Sequence, residues 1–245
     1  MTTPKASEEN TEQRSPFRLP IQKNSLILAI FAIVCTAIVG LVNELTKDKI
    51  KVQEQLQLLN TLHSIIEPAR YNNDITQDCV NFQSPLLGNS KTTSHKAYVA
   101  RYNTEPVAMA MTSTAPDGYN GKIELIIAIN IDNSISGVRV LKHKETPGLG
   151  DKIEIRKSDW VTSFNGTKLL SESDSRWAVV KDGGMFDQFT GATITPRAIV
   201  KAIKNTLLYF KENKALLLTL PNSCLIDSNN SEIVSKVESE TTNEH

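Results

Sequence analysis

The sequence has little cysteine and no excess of charge of either sign. Three of its 245 residues are cysteine, and the spacing of Cys35, Cys79 and Cys224 matches no common metal-binding pattern. Lysine and arginine together number 27, as do aspartate and glutamate, so the whole chain has no net attraction for nucleic acid. It also lacks a Ser-His-Asp or Cys-His arrangement, a cysteine cluster and a haem-attachment motif. We therefore expect no nucleic-acid partner, no metal site and no catalytic residues of these kinds.

The few cysteines and histidines leave some alternatives open. Cys35 lies in an apolar run, whereas Cys79 and Cys224 can pair if their domain lies in an oxidising compartment. The sequence does not show whether these two residues meet. His63 and His95 are isolated, and we interpret them as surface or packing residues rather than ligands.

Both ends of the chain are polar. Residues 1–24 contain three prolines and too few apolar residues to pack, so we predict an unstructured tail. Past Leu220 the composition becomes rich in Ser, Asn, Glu and Thr. We predict a second unstructured tail over residues 221–245.

One long apolar run lies near the N-terminus. Residues 26–42 carry no charge and reach the lower end of the ~17–25 residues that a helix needs to cross a bilayer. A buried core helix would show a polar face, and a signal peptide would end in a small-residue cleavage site; this run shows neither. We predict one transmembrane helix over residues 25–43. Three basic residues lie close to each side of it, so the positive-inside rule does not orient it.

The helical pattern continues beyond the apolar run. Apolar residues recur at helical steps from Glu44 to Ile66, and Pro68 suits the end of a helix. We predict a helical stalk over residues 44–68. An ordinary surface helix of the following domain would show the same pattern, and both interpretations stay open.

The middle of the chain shows strand patterns. Residues 69–95 are rich in Asn, Ser, Thr and Gly, and we predict loop there. The runs typical of strands are 97–101, 107–112, 122–131 and 135–141, and the third of them alternates Ile and Leu onto one face. Turn residues join the last two runs and predict a hairpin. We therefore predict an α+β fold, in which a transmembrane helix precedes a soluble domain with a mainly antiparallel sheet, one face of it on a core, and flanking helices.

Shorter elements follow the sheet. We predict a short helix over residues 159–164, a short strand over 177–180 and a turn over 181–184. A long amphipathic helix follows, because apolar residues recur at three- and four-residue steps after Pro196.

A short stretch of small residues precedes this long helix. Pro196 suits the first helical position because it lacks an N–H group, and Thr195 before it can cap the helix. Ile194 and Ile199 are then placed to form a hydrophobic staple. Gly191 allows close approach of the backbone or a positive φ. Hydroxyl-bearing residues at a helix N-terminus favour phosphate binding, although a plain capped loop would show the same pattern.

The stretch Asp187-Gln-Phe-Thr190-Gly191-Ala192-Thr193 resembles the flavinylation motif of the FMN-binding domain family. Two earlier segments are similar to the same family: Gly118-Tyr-Asn-Gly121, which opens the longest predicted strand, and Glu145-Thr146-Pro147-Gly148-Leu149-Gly150. In the latter, Pro147 followed by Gly148 suits a type II turn. The segments stand in the order of the family, and the resemblance covers about residues 96–208.

The resemblance implies a flavin-carrying domain. In the family, the last threonine of the motif carries FMN through a phosphoester bond, and here that residue is Thr193. The implied cofactor-binding residues are Thr190, Gly191, Ala192 and Thr193 in the motif, and Glu145, Thr146, Gly148 and Leu149 in the other loop. The resemblance also implies that the FMN-binding domain, at 69–220 with its core at 96–208, is periplasmic and anchored in the bacterial inner membrane.

The resemblance also implies partners. A threonine hydroxyl is a weak nucleophile, and the sequence shows no base arranged to activate Thr193. A separate flavin transferase that moves FMN from FAD is therefore implied, as in the family. Other subunits of a membrane electron-transport complex would carry iron–sulfur chemistry, passing electrons between ferredoxin and NAD while ions cross the membrane. The competing function is a membrane-anchored binding or assembly protein with noncovalent flavin or none.

For two residues of the motif, Asp187 and Phe189, two alternative roles stay open. Asp187 can position or activate the threonine hydroxyl within the transferase, or it can simply form the turn. Phe189 can pack against the flavin ring, or it can anchor the loop as an apolar residue.

Overall fold

The computed structural model describes residues 18–88 and 93–224. The chain divides into two units, Met1–Glu54 and Gln55–His245. The outer parts of the two predicted tails, 1–17 and 225–245, lie outside the described residues.

The first unit contains most of a long helix, α1, which begins at Arg18 and ends at Ile65. Its stretch Lys23–Lys47 is long and apolar enough to cross a membrane. No residue in the most apolar part of this stretch is buried by the rest of the protein. The predicted apolar helix is thus confirmed as a helix. Residues 18–24, which we predicted as part of a tail, are helical as well.

The second unit is built on a five-stranded sheet and one long helix. The strands are β1 (Cys79–Gln83), β2 (Ser94–Tyr102), β3 (Glu105–Ala115), β4 (Ile123–Asn130) and β5 (Ile135–Lys142), and the helix is α2 (Ile194–Thr219). The sheet order is β1-β2-β3-β4-β5 with every neighbouring pair antiparallel. This confirms the predicted antiparallel sheet and the β4–β5 hairpin.

Two predictions about regular structure were wrong. Residues 69–95 are not all loop, because they include β1, the start of β2 and two short 3₁₀ turns. The strand β1 has five residues in a polar neighbourhood, so its alternation of buried and exposed side chains is too short to stand out. The predicted strand at 177–180 is only an isolated bridge between Val179 and Phe186, whereas Asp159–Phe164 forms the predicted short helix in 3₁₀ form.

The sheet is covered on both faces, not on one as we predicted. In β4, the side chains of Ile123, Leu125, Ile127 and Ile129 belong to one apolar core, which α2 completes. The alternate residues Ile126 and Ala128 belong to a second core. Because successive side chains of a strand point to opposite faces, a strand buried on both sides reads as a nearly continuous apolar run.

The C-terminal end of α1 covers the second face. Leu62 and Ile66 are fully buried there, so the end of the predicted stalk is part of the domain core. The approach is close at Gly137 of β5, where a Cβ atom would lie 2.9 Å from the Cα atom of Ile65. Arg139 donates a hydrogen bond of 2.9 Å to the carbonyl oxygen of Ser64, one of the last carbonyls of the helix.

The residues after α2 return to the edge strand. Cys224 forms a disulfide with Cys79 at the start of β1, with Cα atoms 5.4 Å apart. The side chain of Asn222 donates a hydrogen bond of 2.7 Å to the carbonyl oxygen of Gln77. The hydroxyl of Ser223 accepts one of 3.2 Å from the N–H of Asn81. Residues 221–224 therefore belong to the folded domain and not to the tail we predicted at 221–245.

Removing the disulfide should destabilise the domain, because the bond closes a loop of 145 residues. We expect Cys224→Ser to lower the free energy of unfolding by about 2–4 kcal/mol. The measurement is urea unfolding of the full chain in detergent, followed by the fluorescence of Trp160 and Trp177, which both lie in the core. Cys35→Ser, at the free cysteine, is the control and should unfold like the wild type. Equal midpoints for all three proteins would show that the bond does not constrain the fold.

Candidate functional site

The two signature loops meet at one cavity of about 310 Å³. The residues that line it are Tyr119, Glu145, Thr146, Leu149, Gly150, Gly191, Ala192, Thr193, Ile194 and Thr195. Of the predicted site residues, Thr190 and Gly148 are not part of this lining. Tyr119 is a lining residue that we did not predict, although it lies in the Gly118–Gly121 segment that resembles the family.

The first loop is a tight turn after β5. The N–H of Leu149 donates 3.2 Å to the carbonyl oxygen of Thr146, and Gly148 between them has φ +78°. A positive φ at the third residue of the turn is the requirement of the type II turn that we predicted. Gly148 therefore shapes the loop without lining the cavity.

The second loop repeats this geometry. The N–H of Ala192 donates 3.1 Å to the carbonyl oxygen of Phe189, and Gly191 has φ +80°. A Cβ atom on Gly191 would lie 3.6 Å from a methyl carbon of Leu149, so the two turns touch. Of the two roles that we predicted for Gly191, close approach of the backbone or a positive φ, the structure shows the positive φ.

Helix α2 begins two residues earlier than we predicted, at Ile194. Thr193 occupies the N-cap position, where its carbonyl oxygen accepts from the N–H of Arg197 at 3.4 Å and its side chain makes no capping bond. The first turn of the helix itself carries no acidic residue. The predicted cap by Thr195 is wrong, and Ile194, which we predicted at the N′ position of a staple, is the first helical residue and is 47% exposed.

Thr195 has a different partner. Its hydroxyl donates a hydrogen bond to the carboxylate of Glu145, which lies 50 residues away in the sequence. The side chain is 1% exposed and sits within the first turn of α2. This long-range bond takes the hydroxyl away from the helix end, which is why a local capping rule failed.

Glu145 is buried, with 4% of its surface exposed, and holds three segments together. Besides the Thr195 hydroxyl, its carboxylate accepts from the backbone N–H of Asn120 at 3.0 Å and of Tyr119 at 3.3 Å. A Cβ atom on Gly150 would lie 3.0 Å from the Cβ atom of Glu145. The carboxylate therefore links the start of β4, the first turn and the start of α2.

A second set of polar contacts supports the backbone of Glu145. Its N–H donates 3.1 Å to Nδ1 of His143, whose Nε2 lies 2.8 Å from Oε1 of Glu154. With Nδ1 acting as an acceptor, the ring carries its proton at Nε2 and donates it to Glu154. Hydrogen bonds from His143 and Arg156 lower the pKa of Glu154. His143 therefore supports the first loop by linking its backbone to Glu154.

Phe189 and Asp187 attach the second loop to Trp160. Phe189 is buried and packs edge-on against Trp160, with ring centres 5.1 Å apart, and it does not line the cavity. The indole N–H of Trp160 donates 2.7 Å to the backbone oxygen of Asp187. Of the two roles we considered for Phe189, these contacts favour the loop anchor.

The cavity fits a phosphate-bearing ligand at one end. Thr193 lines it at the N-terminus of a 26-residue helix, where unpaired backbone N–H groups and the helix dipole favour an anion. The volume lies at the lower end of the range of small-molecule sites, about 300–1,000 Å³. Tyr119, Leu149 and Ile194 give the opening an apolar rim, because each keeps more than a third of its surface exposed.

Comparison with known proteins gives two family matches. The model of the FMN-binding domain matches residues 118–208, which include all three signature segments, and the model of the RnfG N-terminal region matches residues 18–65. Both matches fall on parts of the chain that the structure describes.

Three relatives that match along most of their length are named as the same component of an ion-translocating oxidoreductase complex, the subunit designated G. The protein of that name from Shewanella piezotolerans is 53% identical over 207 residues, covering 84% of this chain and 97% of the relative. The one from Vibrio atlanticus is 49% identical over 204 residues, covering 83% and 97%. The one from Erwinia tasmaniensis is 48% identical over 201 residues, covering 82% and 95%.

The segment that binds Glu145 should not tolerate a side chain at Gly118. A Cβ atom there would overlap the backbone oxygen of Gly121 and lie 3.0 Å from Oε1 of Glu145. We expect Gly118→Ala to cost about 1–3 kcal/mol of stability, the usual cost of overpacking. Urea unfolding of the full chain, monitored by tryptophan fluorescence, measures it. The same change at Gly40, which has nothing within 4 Å, should cost nothing, and equal midpoints for both variants would contradict the close packing around Glu145.

Proposed function

This chain belongs to the RnfG family of ion-translocating oxidoreductase subunits, and from that premise we propose that it relays electrons through FMN attached to Thr193 by a phosphoester bond. The FMN-binding domain match and the family support FMN as the cofactor and electron carriage as the role. The covalent bond and its residue are our proposal.

The observation that carries the choice of Thr193 is the different surroundings of the three threonines at 190–195. Thr195 is buried and its hydroxyl donates to Glu145. Thr190 lies on the exposed side of the turn, outside the cavity lining. Thr193 is half-buried, lines the cavity and stands at the start of α2, where a phosphate is favoured.

The surroundings of Thr193 also support an external catalyst. The side chains of the cavity lining include one carboxylate, Glu145, and it accepts hydrogen bonds from Thr195 and from two backbone N–H groups. It is thus committed to structure and is not placed as a base for Thr193. A flavin transferase would supply the base: the threonine oxygen bonds to the phosphorus of the FMN part of FAD, the bond to AMP breaks, and the hydroxyl proton leaves.

The rest of the site holds and shields the cofactor. FMN supplies the chemistry of accepting and releasing electrons. Thr193 and the N-terminus of α2 would hold the phosphate end, and Thr146 and Leu149 of the first turn also line the cavity. The apolar rim of Tyr119, Leu149 and Ile194 would hold the ring and shield it from water. The turns around Gly148 and Gly191 fix these groups in place.

We also propose where the protein lies. The apolar stretch of α1 anchors it in the bacterial inner membrane with the span at 25–43, and the flavin domain extends from the buried end of α1 to Cys224. The Cys79–Cys224 disulfide supports a periplasmic domain, because such bonds persist in oxidising compartments. Its partners are then the other subunits of the complex, which exchange electrons between ferredoxin and NAD, and the flavin transferase.

The test is whether flavin stays on the protein after denaturation. The full chain is co-expressed with a flavin transferase, and its intact mass and in-gel fluorescence under ultraviolet light are measured. We expect the wild type to gain the mass of one FMN residue and to fluoresce, and Thr193→Val to do neither, because it keeps the shape and lacks the oxygen.

Thr104→Val is the matched control, since it removes the hydroxyl of an exposed threonine that lies outside the motif and outside the cavity lining. It should keep both the mass and the fluorescence. Flavin released on denaturation of the wild type would favour noncovalent binding, and a wild type with no flavin would favour an assembly role. Either result, or a flavinylated Thr193→Val, would overturn the proposal.

A further inference from the structure

The wall of the cavity contains a buried carboxylate with no cationic partner among the described residues. Glu145 lines the cavity and is 4% exposed, and none of the ion pairs between described residues includes it. Its hydrogen bonds come from two backbone N–H groups and one hydroxyl. An ionised carboxylate is an acceptor at both oxygens, and that is the role it has in all three bonds.

We propose that Glu145 sets the redox potential of the flavin site, by holding a fixed negative charge at the cavity wall that makes reduction of the bound flavin less favourable. This rests on the proposed function in one respect only, that a flavin occupies the cavity. It assigns Glu145 an electrostatic role in addition to the cofactor contact that the sequence pattern suggested.

The sign follows from the charges. Reduction of a flavin adds two electrons and one or two protons, so the electron-rich ring gains negative charge whenever a proton does not follow each electron. A carboxylate on the wall of the same cavity repels that charge. The repulsion is strong because the side chain is withdrawn from water, which screens charges much better than a protein interior.

The carboxylate cannot turn away from the cavity. The Asn120 N–H and the Thr195 hydroxyl hold its two oxygens separately. On two sides it is closed in by glycines, since a Cβ atom on Gly150 or Gly118 would lie 3.0–3.1 Å from its atoms. The charge therefore stays at the same place in the oxidised and reduced protein, as an electrostatic role requires.

The direct test replaces the charge and keeps the shape. Glu145→Gln retains one oxygen for Asn120, and the Thr195 hydroxyl can turn to accept from the new amide, so of the three bonds only the 3.3 Å one from the N–H of Tyr119 is lost. The flavin-loaded full chain is reduced stepwise with dithionite beside a dye of known potential, and the flavin absorbance is recorded. We expect a more positive potential for Glu145→Gln than for the wild type.

Glu105→Gln is the matched control, because it removes the same charge from an exposed position outside the cavity lining. Its potential should equal that of the wild type. A Glu145→Gln protein whose potential is equal to or lower than that of the wild type would overturn the inference. The measurement does not require a covalent bond, so failure of the phosphoester proposal at Thr193 would leave it intact.

A second pair of variants covers the case in which Glu145→Gln does not hold flavin. Thr146 lines the same wall, and Thr146→Asp and Thr146→Asn differ only in charge. We expect the aspartate variant to have the lower potential of the two. Equal potentials would show that charge on this wall does not reach the flavin, and would also overturn the inference.

Discussion

The hydrogen bond between Glu145 and Thr195 connects the two loops on which the site depends. Each loop is a tight turn closed by its own backbone hydrogen bond. These local bonds do not determine where the two turns lie relative to each other. The Glu145 carboxylate determines their relative position, because it accepts hydrogen bonds both from the start of α2 and from the backbone before β4. With those three segments fixed, Thr193 stands at the helix N-terminus and lines the cavity.

The sheet makes this arrangement rigid. All of its strands are joined to their neighbours in sequence order, and both faces are covered, one by α2 and the other by the end of α1. The site is built at the ends of these buried elements, where backbone groups are free to meet a ligand. Preorganisation of this kind matters for an electron carrier, since a site that need not rearrange accepts charge at a lower cost.

The helix that contains the candidate membrane span also ends inside the core of the second unit. Leu62, Ile65 and Ile66 are buried against the sheet, and Gly137 makes room for the helix backbone. A stalk and a surface helix were open alternatives in the sequence because both have the same periodicity. Only the packing of the last turn decides between them, and it makes the end of α1 part of the domain.

The sequence by itself determined what depends on neighbouring residues: the apolar helix, the strands β2 to β5, the glycine turns at 148 and 191, and the family signatures that point to Thr193. It did not determine β1, the pairing of Cys79 with Cys224, the second core, or the true partner of Thr195. Each of these rests on residues far apart in the chain, 145 positions for the disulfide and 50 for the Glu145–Thr195 bond. Local patterns report the conformation of a segment, whereas the choice between a helix cap and a distant carboxylate is made by whichever partner the folded chain brings within reach.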